Sequence, residues 1–265
     1  MFAPLADDTT AGEPSVDAAR AFAFGWTGGP ATGCDCSTPC RISMLESLAA
    51  VLGGEADGVL SGLTALKRVD CDWIPARLRR GLDVERAAAS ALAVLREPGG
   101  LDAYIEAREL LFHPDRFDPE IAVLSPCESV YVAEDPMRHA RMLQSVYAKT
   151  AFVPRIAAER CCPGHIGVEL EYYAHLLRAG DQVVGTDGVD TARWFLESHM
   201  LSWAPLFATV LTAAGHHVAL RVAGSALESL LICETDVYRR RAAEVSLASD
   251  DGDRVPPPSL LSRSP

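Results

Sequence analysis

The sequence has no long apolar run and little positive charge, and both deficits exclude classes of function. No stretch approaches the roughly 20 apolar residues that a membrane-spanning helix needs, and the start MFAPLADDTT has neither the basic nor the apolar region of a cleaved signal. The net charge of −12 and the pI of about 5.0 oppose binding to nucleic acid, because phosphate recognition draws on Lys and Arg. These features predict a cytoplasmic protein without membrane insertion and without a nucleic-acid partner.

The common sequence signatures of enzymes are also missing. The chain has no phosphate-binding G-x-x-x-x-G-K-[ST] loop, no G-x-G-x-x-G turn, no G-x-S-x-G elbow and no H-E-x-x-H helix. Their absence shifts the prediction toward a binding protein that is not an enzyme and that carries no cofactor.

Eight cysteines are spread over 265 residues whose apolar content, 49%, suffices for a core without disulfides. We therefore expect mostly free thiols in a reducing compartment. Cys34, Cys36 and Cys40 are spaced closely enough to share a soft metal ion, but no fourth ligand is evident, so three thiols are the favoured interpretation and their role stays open. The adjacent Cys161 and Cys162 would form only a strained mutual disulfide.

The chain divides by pattern into two irregular ends and a helical middle. Residues 1–40 lack periodicity and predict a flexible arm, while residues 245–265, with three consecutive prolines, predict a disordered tail. Between them apolar residues recur every three or four positions without period-two strands, which predicts an all-α domain over 41–244. The candidate helices are 41–53, 57–69, 83–96, 100–112, 135–152, 165–180, 187–214 and 217–244.

Two features interrupt this helical pattern. Pro154 and the turn residues up to Gly164 predict a hinge near 153–164 that joins two helical halves of one multi-helix bundle, so a monomer and a domain-swapped dimer both remain open. Pro205 should kink or divide the helix over 187–214.

The segment CCPGHIGVELEYYAHLL carries the first candidate site. In a helix that starts near Gly164, His165, Glu169 and Tyr172 lie on one face beside a buried apolar stripe. One interpretation is a histidine bonded to the first helical turn and a glutamate favoured by the helix dipole. A second is a recognition patch, and a third is a metal site completed by His199, His175 or Glu171.

Several segments in order resemble one family. PGHIGVELEYYAHLL followed by FLESHMLSWAPLF resembles the TorD/DmsD family of molybdoenzyme maturation chaperones, whose motifs read E-x-D-H-x-x-x-E and F-L-x-x-H-x-x-x-W. PCESVYVAEDP resembles the P-x-E-S-x-Y segment of that family, QSVYAKTAF its tyrosine-bearing helix and SALESLLICE its closing helix. The resemblance covers about residues 120–240 and implies a TorD-like helical bundle.

The resemblance also implies a set of residues that bind the client and its leader: His165, Glu169, Tyr172, His199, Trp203, Glu128 and Tyr131. Two positions depart from the motif, because Gly164 stands in place of its aspartate and Cys162 in place of its first glutamate. Core packing is the alternative role for Trp203 and His199.

The implied function is that of a cytoplasmic chaperone whose partners are the apo-form of a molybdopterin oxidoreductase catalytic subunit and its twin-arginine leader. It would assist cofactor insertion and assembly before export. Two other classes remain open: a metal-dependent helical hydrolase with His165, Glu169 and His199 as ligands, and a helical scaffold without leader recognition.

Overall fold

The protein is described by a computed structural model over residues 38–68, 84–112, 124–156, 162–180 and 191–252. Within these ranges the regular structure is helical, with one isolated β-bridge between Cys127 and His165. The helices are α1 Thr38–Gly53, α2 Ala56–Lys67, α3 Val84–Arg96, α4 Gly100–Phe112, α5 Ser129–Val132, α6 Pro136–Lys149, α7 Ile166–Ala179, α8 Thr191–Phe195, α9 Leu201–Ala214 and α10 Val218–Gly252. A π-helical turn, Leu196–Met200, joins α8 to α9. The all-α prediction is confirmed, and no helix in the described part is long and apolar enough to cross a membrane.

Short-range chemistry accounts for the boundaries of the helices near the site. Asp135 caps α6, because its carboxylate accepts hydrogen bonds from the backbone N–H groups of Met137 and Arg138, and Pro136 supplies the fixed φ that suits a first helical position. At the end of α7, Gly180 has a φ of +57°, which glycine adopts without steric cost.

The core is built around α1 and α7, which pack directly against each other. Helix α1 also packs on α2 and α10, and α9 packs along α10. Helices from before and after residues 153–164 therefore share one apolar core. A hinge motion there stays a prediction, since residues 157–161 lie outside the described ranges.

A buried ion pair joins the first and last described helices. Arg41 on α1 contacts the Glu234 carboxylate on α10, with Nε to Oε1 at 2.7 Å, and Tyr173 on α7 donates to Glu234 Oε2 at 2.6 Å. Arg41 is 3% exposed and Glu234 1%. The three groups satisfy one another's hydrogen bonds inside the core, as buried charges require.

Two helix ends differ from the sequence-based boundaries. Helix α1 begins at Thr38, and α10 continues to Gly252, so the tail predicted from residue 245 begins with helix. Residues 241–249, RAAEVSLAS, contain no proline or glycine that would stop it. The remainder of the predicted arm and tail, residues 1–37 and 253–265, lies outside the described ranges.

The irregularity expected at Pro205 lies one turn before it. Pro205 sits inside α9, whereas the chain widens into the π-helical turn at Leu196–Met200. A proline ring clashes with the carbonyl four residues back, and a wider preceding turn moves carbonyls away from the ring.

The prediction of free thiols is wrong for three cysteines. Cys127 and Cys162 form a disulfide across a sequence separation of 35, and Cys40 is also disulfide-bonded. The fold brings the backbones of Cys127 and Cys162 to a Cα–Cα distance of 6.7 Å, a proximity that spacing along the chain does not show. Cys34, Cys36 and Cys161 lie outside the described ranges.

Candidate functional site

The site begins where two short extended segments pair in front of α7. The backbone N–H of Glu128 donates to the Gly164 carbonyl at 2.8 Å, and that of Ile166 donates to the Pro126 carbonyl at 2.8 Å. The Cys127–Cys162 disulfide links the same two segments. Together these bonds hold Glu128 beside the first turn of α7.

Glu128 lies between two histidines that come from different helical segments. Its Oε2 atom is 2.7 Å from Nε2 of His139 on α6, and its Oε1 atom is 3.0 Å from Nδ1 of His199 in the π-helical turn. Glu128 is 1% exposed and His199 5%. A carboxylate buried this deeply needs such partners, because an unpaired charge in the core is strongly unfavourable.

A second buried carboxyl group lies next to this cluster. Glu169 on α7 is 0% exposed, and its Oε2 atom accepts a hydrogen bond from the indole Nε1 of Trp203 at 3.1 Å. Its Oε1 atom meets no donor among the described residues. Trp203 also stacks on Tyr131 of α5 at a centroid distance of 5.2 Å, which connects the carboxyl group to a partly exposed aromatic ring.

The environment shifts the pKa values of the two carboxyl groups in opposite directions. Burial raises the pKa of Glu128, but the hydrogen bonds and charges of His199 and His139 outweigh burial and leave the pKa of Glu128 below its ordinary value. Burial, followed by the neighbouring Glu128 charge, raises the pKa of Glu169 well above its ordinary value. The surroundings therefore favour the charged form of Glu128 and the protonated form of Glu169.

His165 and Tyr172 lie apart from the Glu128 cluster. His165 caps α7, since its Nδ1 atom accepts from the Gly167 backbone N–H at 3.0 Å, and its ring meets Phe112 edge-on. This confirms the interpretation of a histidine bonded to the first helical turn. Tyr172 packs in the core against Tyr147 and Phe195, at centroid distances of 4.5 and 4.7 Å.

The metal ligand set suggested from the sequence is not assembled. His175 contacts the Thr150 carbonyl at 3.1 Å, and Glu171 accepts from the Arg155 backbone N–H at 2.8 Å. Among the described residues, the group whose donor atoms converge consists of Glu128, His139 and His199, without His165.

Sequence reasoning missed His139, Trp194 and Tyr147. His139 belongs to no motif, and only the fold turns α6 so that it meets Glu128. Trp194 is 38% exposed and meets the His199 ring edge-on at a centroid distance of 5.1 Å. The Tyr147 hydroxyl donates to the Pro163 carbonyl at 2.7 Å. The resemblance of QSVYAKTAF to the tyrosine-bearing helix of the family could have pointed to Tyr147.

The two departures from the family motif have structural counterparts. Cys162 forms the disulfide with Cys127. A Cβ atom at Gly164 would lie 3.1 Å from Leu143 Cδ1 and 3.3 Å from Glu128 Cβ, so a larger residue there would crowd the cluster. The chain thus holds this junction with a covalent bond and close packing where the motif has two carboxylates.

Comparison with known proteins identifies one family. The family model for the nitrate reductase delta subunit matches residues 83–209, nearly half of the chain, and this stretch contains Glu128, His139, Glu169, His199 and Trp203. No curated protein and no solved structure matches the chain.

Proposed function

Since residues 83–209 match the family model for the nitrate reductase delta subunit, we propose that the chain is a redox-enzyme maturation chaperone that acts on the leader and apo-form of a molybdopterin oxidoreductase. It holds the catalytic subunit in the cytoplasm until the cofactor is inserted, and it delays export of a client with a twin-arginine leader. Its own role is binding, without catalysis.

One observation carries this proposal: motif residues from three separate segments meet in one buried network. Glu128 contacts His199, and Glu169 accepts from Trp203, although 34 residues separate the last two in sequence. Neighbouring charge joins the two pairs, because Glu128 raises the pKa of Glu169. The segments that define the resemblance thus form one structural unit.

The elements that hold this network also present apolar side chains to solvent. On α5 Val130 is 65% exposed, on α6 Met137 is 65% exposed, and on α8 Trp194 is 38% exposed. A leader contains an apolar stretch whose burial against such side chains supplies binding free energy, while charge sets orientation and encounter rate. The net charge of −12 favours a ligand with paired arginines.

Burial divides the roles of the seven residues proposed for leader binding. Tyr131 is partly exposed and is proposed to contact the leader directly, as is Trp194. The other six, which are His165, Glu169, Tyr172, His199, Trp203 and Glu128, are buried and are proposed to act by fixing the positions of α5, α7 and α8. Trp203 supports Tyr131 by stacking, and His199 supports Trp194.

Calorimetric titration with a synthetic leader tests the proposal. The peptide carries two consecutive arginines and an apolar stretch, and a paired-lysine peptide serves as the ligand control. Trp194→Ala should weaken binding by about tenfold or more, equivalent to about 1.4 kcal/mol. Val94→Ala is the matched control, since Val94 has the same 38% exposure but lies on α3.

Two outcomes would contradict the proposal in different ways. If the peptide binds with equal affinity to wild type and Trp194→Ala, the binding face is wrong. If no leader peptide binds while the apo catalytic subunit without its leader still co-purifies, the scaffold alternative replaces leader recognition.

A further inference from the structure

Three side chains from three separate segments bring metal-ligating atoms together in the core. Glu128 precedes α5, His139 lies on α6 and His199 lies in the π-helical turn. One donor atom of each residue lies within 4.8 Å of the donor atoms of the other two. The arrangement is not a surface cluster of acids, because it combines two imidazoles with one carboxylate and Glu128 is 1% exposed.

The donor atoms indicate which ions would suit this cluster. Two imidazole nitrogens and one carboxylate oxygen fit zinc and neighbouring transition metals, whereas magnesium and calcium prefer oxygen ligands throughout. Ligands at about 2.1 Å from a tetrahedral ion lie about 3.4 Å from one another. The present separations of 2.7 Å and 3.0 Å therefore need to open by less than about 1 Å for an ion to enter.

The carboxyl group of Glu169 lies near Glu128 but is not one of the converging donors. Glu169 is fully buried, and its Oε1 atom meets no donor in the described part of the chain. Its other oxygen is held by Trp203, which fixes the carboxyl group in place. The converging donors are therefore the two imidazoles and the Glu128 carboxylate alone.

We infer that Glu128, His139 and His199 form a binding site for one divalent transition-metal ion of the zinc class. The bound ion joins the segment before α5 to α6 and to the turn between α8 and α9. Metal binding does not depend on leader recognition and is measured without any client.

The test is calorimetric titration of zinc chloride into the metal-stripped full chain without reductant, so that the Cys127–Cys162 disulfide beside Glu128 stays intact, followed by elemental analysis. Wild type should bind one equivalent, with a rise in melting temperature and release of protons. His139→Ala should weaken binding by at least about 100-fold. His216→Ala is the matched control, because His216 is an exposed histidine outside the cluster. This variant should bind zinc with the affinity of wild type.

Two further variants separate the ligands. His139→Gln keeps the size of the side chain and should lose the ion as His139→Ala does, which excludes misfolding as the cause when circular dichroism is unchanged. His199→Gln should likewise lose the ion, because His199 supplies the second imidazole nitrogen of the cluster. Unchanged zinc affinity in His139→Ala overturns the inference. That result is also expected if zinc binds Cys34, Cys36 and Cys40 instead of the cluster. Absence of stoichiometric binding to wild type overturns it as well.

Discussion

Replacing Glu234 by alanine tests how firmly the helices outside the family match are joined to the bundle. The substitution leaves the Arg41 guanidinium buried without its charge partner, and the Tyr173 hydroxyl loses its nearer acceptor and keeps only the Tyr238 hydroxyl at 3.4 Å. Breaking a buried ion pair by removing one partner costs about 3 to 5 kcal/mol. We therefore expect the free energy of unfolding of Glu234→Ala to fall by at least about 3 kcal/mol.

The double variant Arg41→Met/Glu234→Leu is the matched control. It removes both charges and fills the same volume with apolar side chains, a change that is often neutral or stabilising. The double variant should therefore be more stable than Glu234→Ala alone, since the Tyr173 hydroxyl keeps the Tyr238 hydroxyl as an acceptor in both variants. Urea unfolding followed by circular dichroism gives the free energy of unfolding of both variants, provided that its slope against urea concentration is the same in both.

The result that refutes this reasoning is a loss of less than about 1 kcal/mol in Glu234→Ala, which is the range of a solvent-exposed pair. It would mean that Arg41 reaches water once Glu234 is absent. Helix α1 would then contribute little to the domain that the sequence predicts over residues 41–244.

Three further predictions can be checked by urea unfolding. Burial and the Glu128 charge raise the pKa of Glu169 above its value in the unfolded chain, so the free energy of unfolding should fall as the pH rises above that unfolded-state value. Glu169→Gln should reduce this fall, and identical pH profiles for the variant and wild type would contradict the expectation. Trp203→Ala should lower the free energy of unfolding by about 3 to 5 kcal/mol, because it leaves a cavity in the core, whereas Trp194→Ala, at a partly exposed position, should lower it by about 1 kcal/mol or less. Equal losses in the two variants would argue against a core role for Trp203. Cys162→Ala removes the disulfide to Cys127, so its free energy of unfolding should be about 3 to 4 kcal/mol below that of wild type without reductant and equal to that of wild type with reductant. If wild type is equally stable with and without reductant, the disulfide does not stabilise the fold.

Much of the fold could be predicted because the periodicity of a helix is local. The predicted segment 100–112 coincides with α4, and 83–96 with α3 to within one residue. Each prediction needed only the neighbours three and four positions away. The helix ends were harder to predict, because the position at which a helix frays depends on small local preferences. Helix α10, for example, continues beyond residue 244.

The candidate site could be predicted only in part. Glu128, Glu169, His199 and Trp203 were found through the family resemblance, and the structure brings them together. The depth of their burial was not visible, because a polar residue at a helix start is exposed in most proteins. His139 carried no signal, since its partner lies 11 residues earlier in a different element.

The sequence by itself determined the helical class and the positions of the helices, because both follow from spacing along the chain. Only the tertiary structure decided that Cys127 pairs with Cys162 and that Arg41 pairs with Glu234, across separations of 35 and 193 residues. It also decided that the pKa of Glu128 is lowered while that of Glu169 is raised. Such pairings and pKa shifts depend on distance and burial in space, and neither quantity can be read from the order of residues alone.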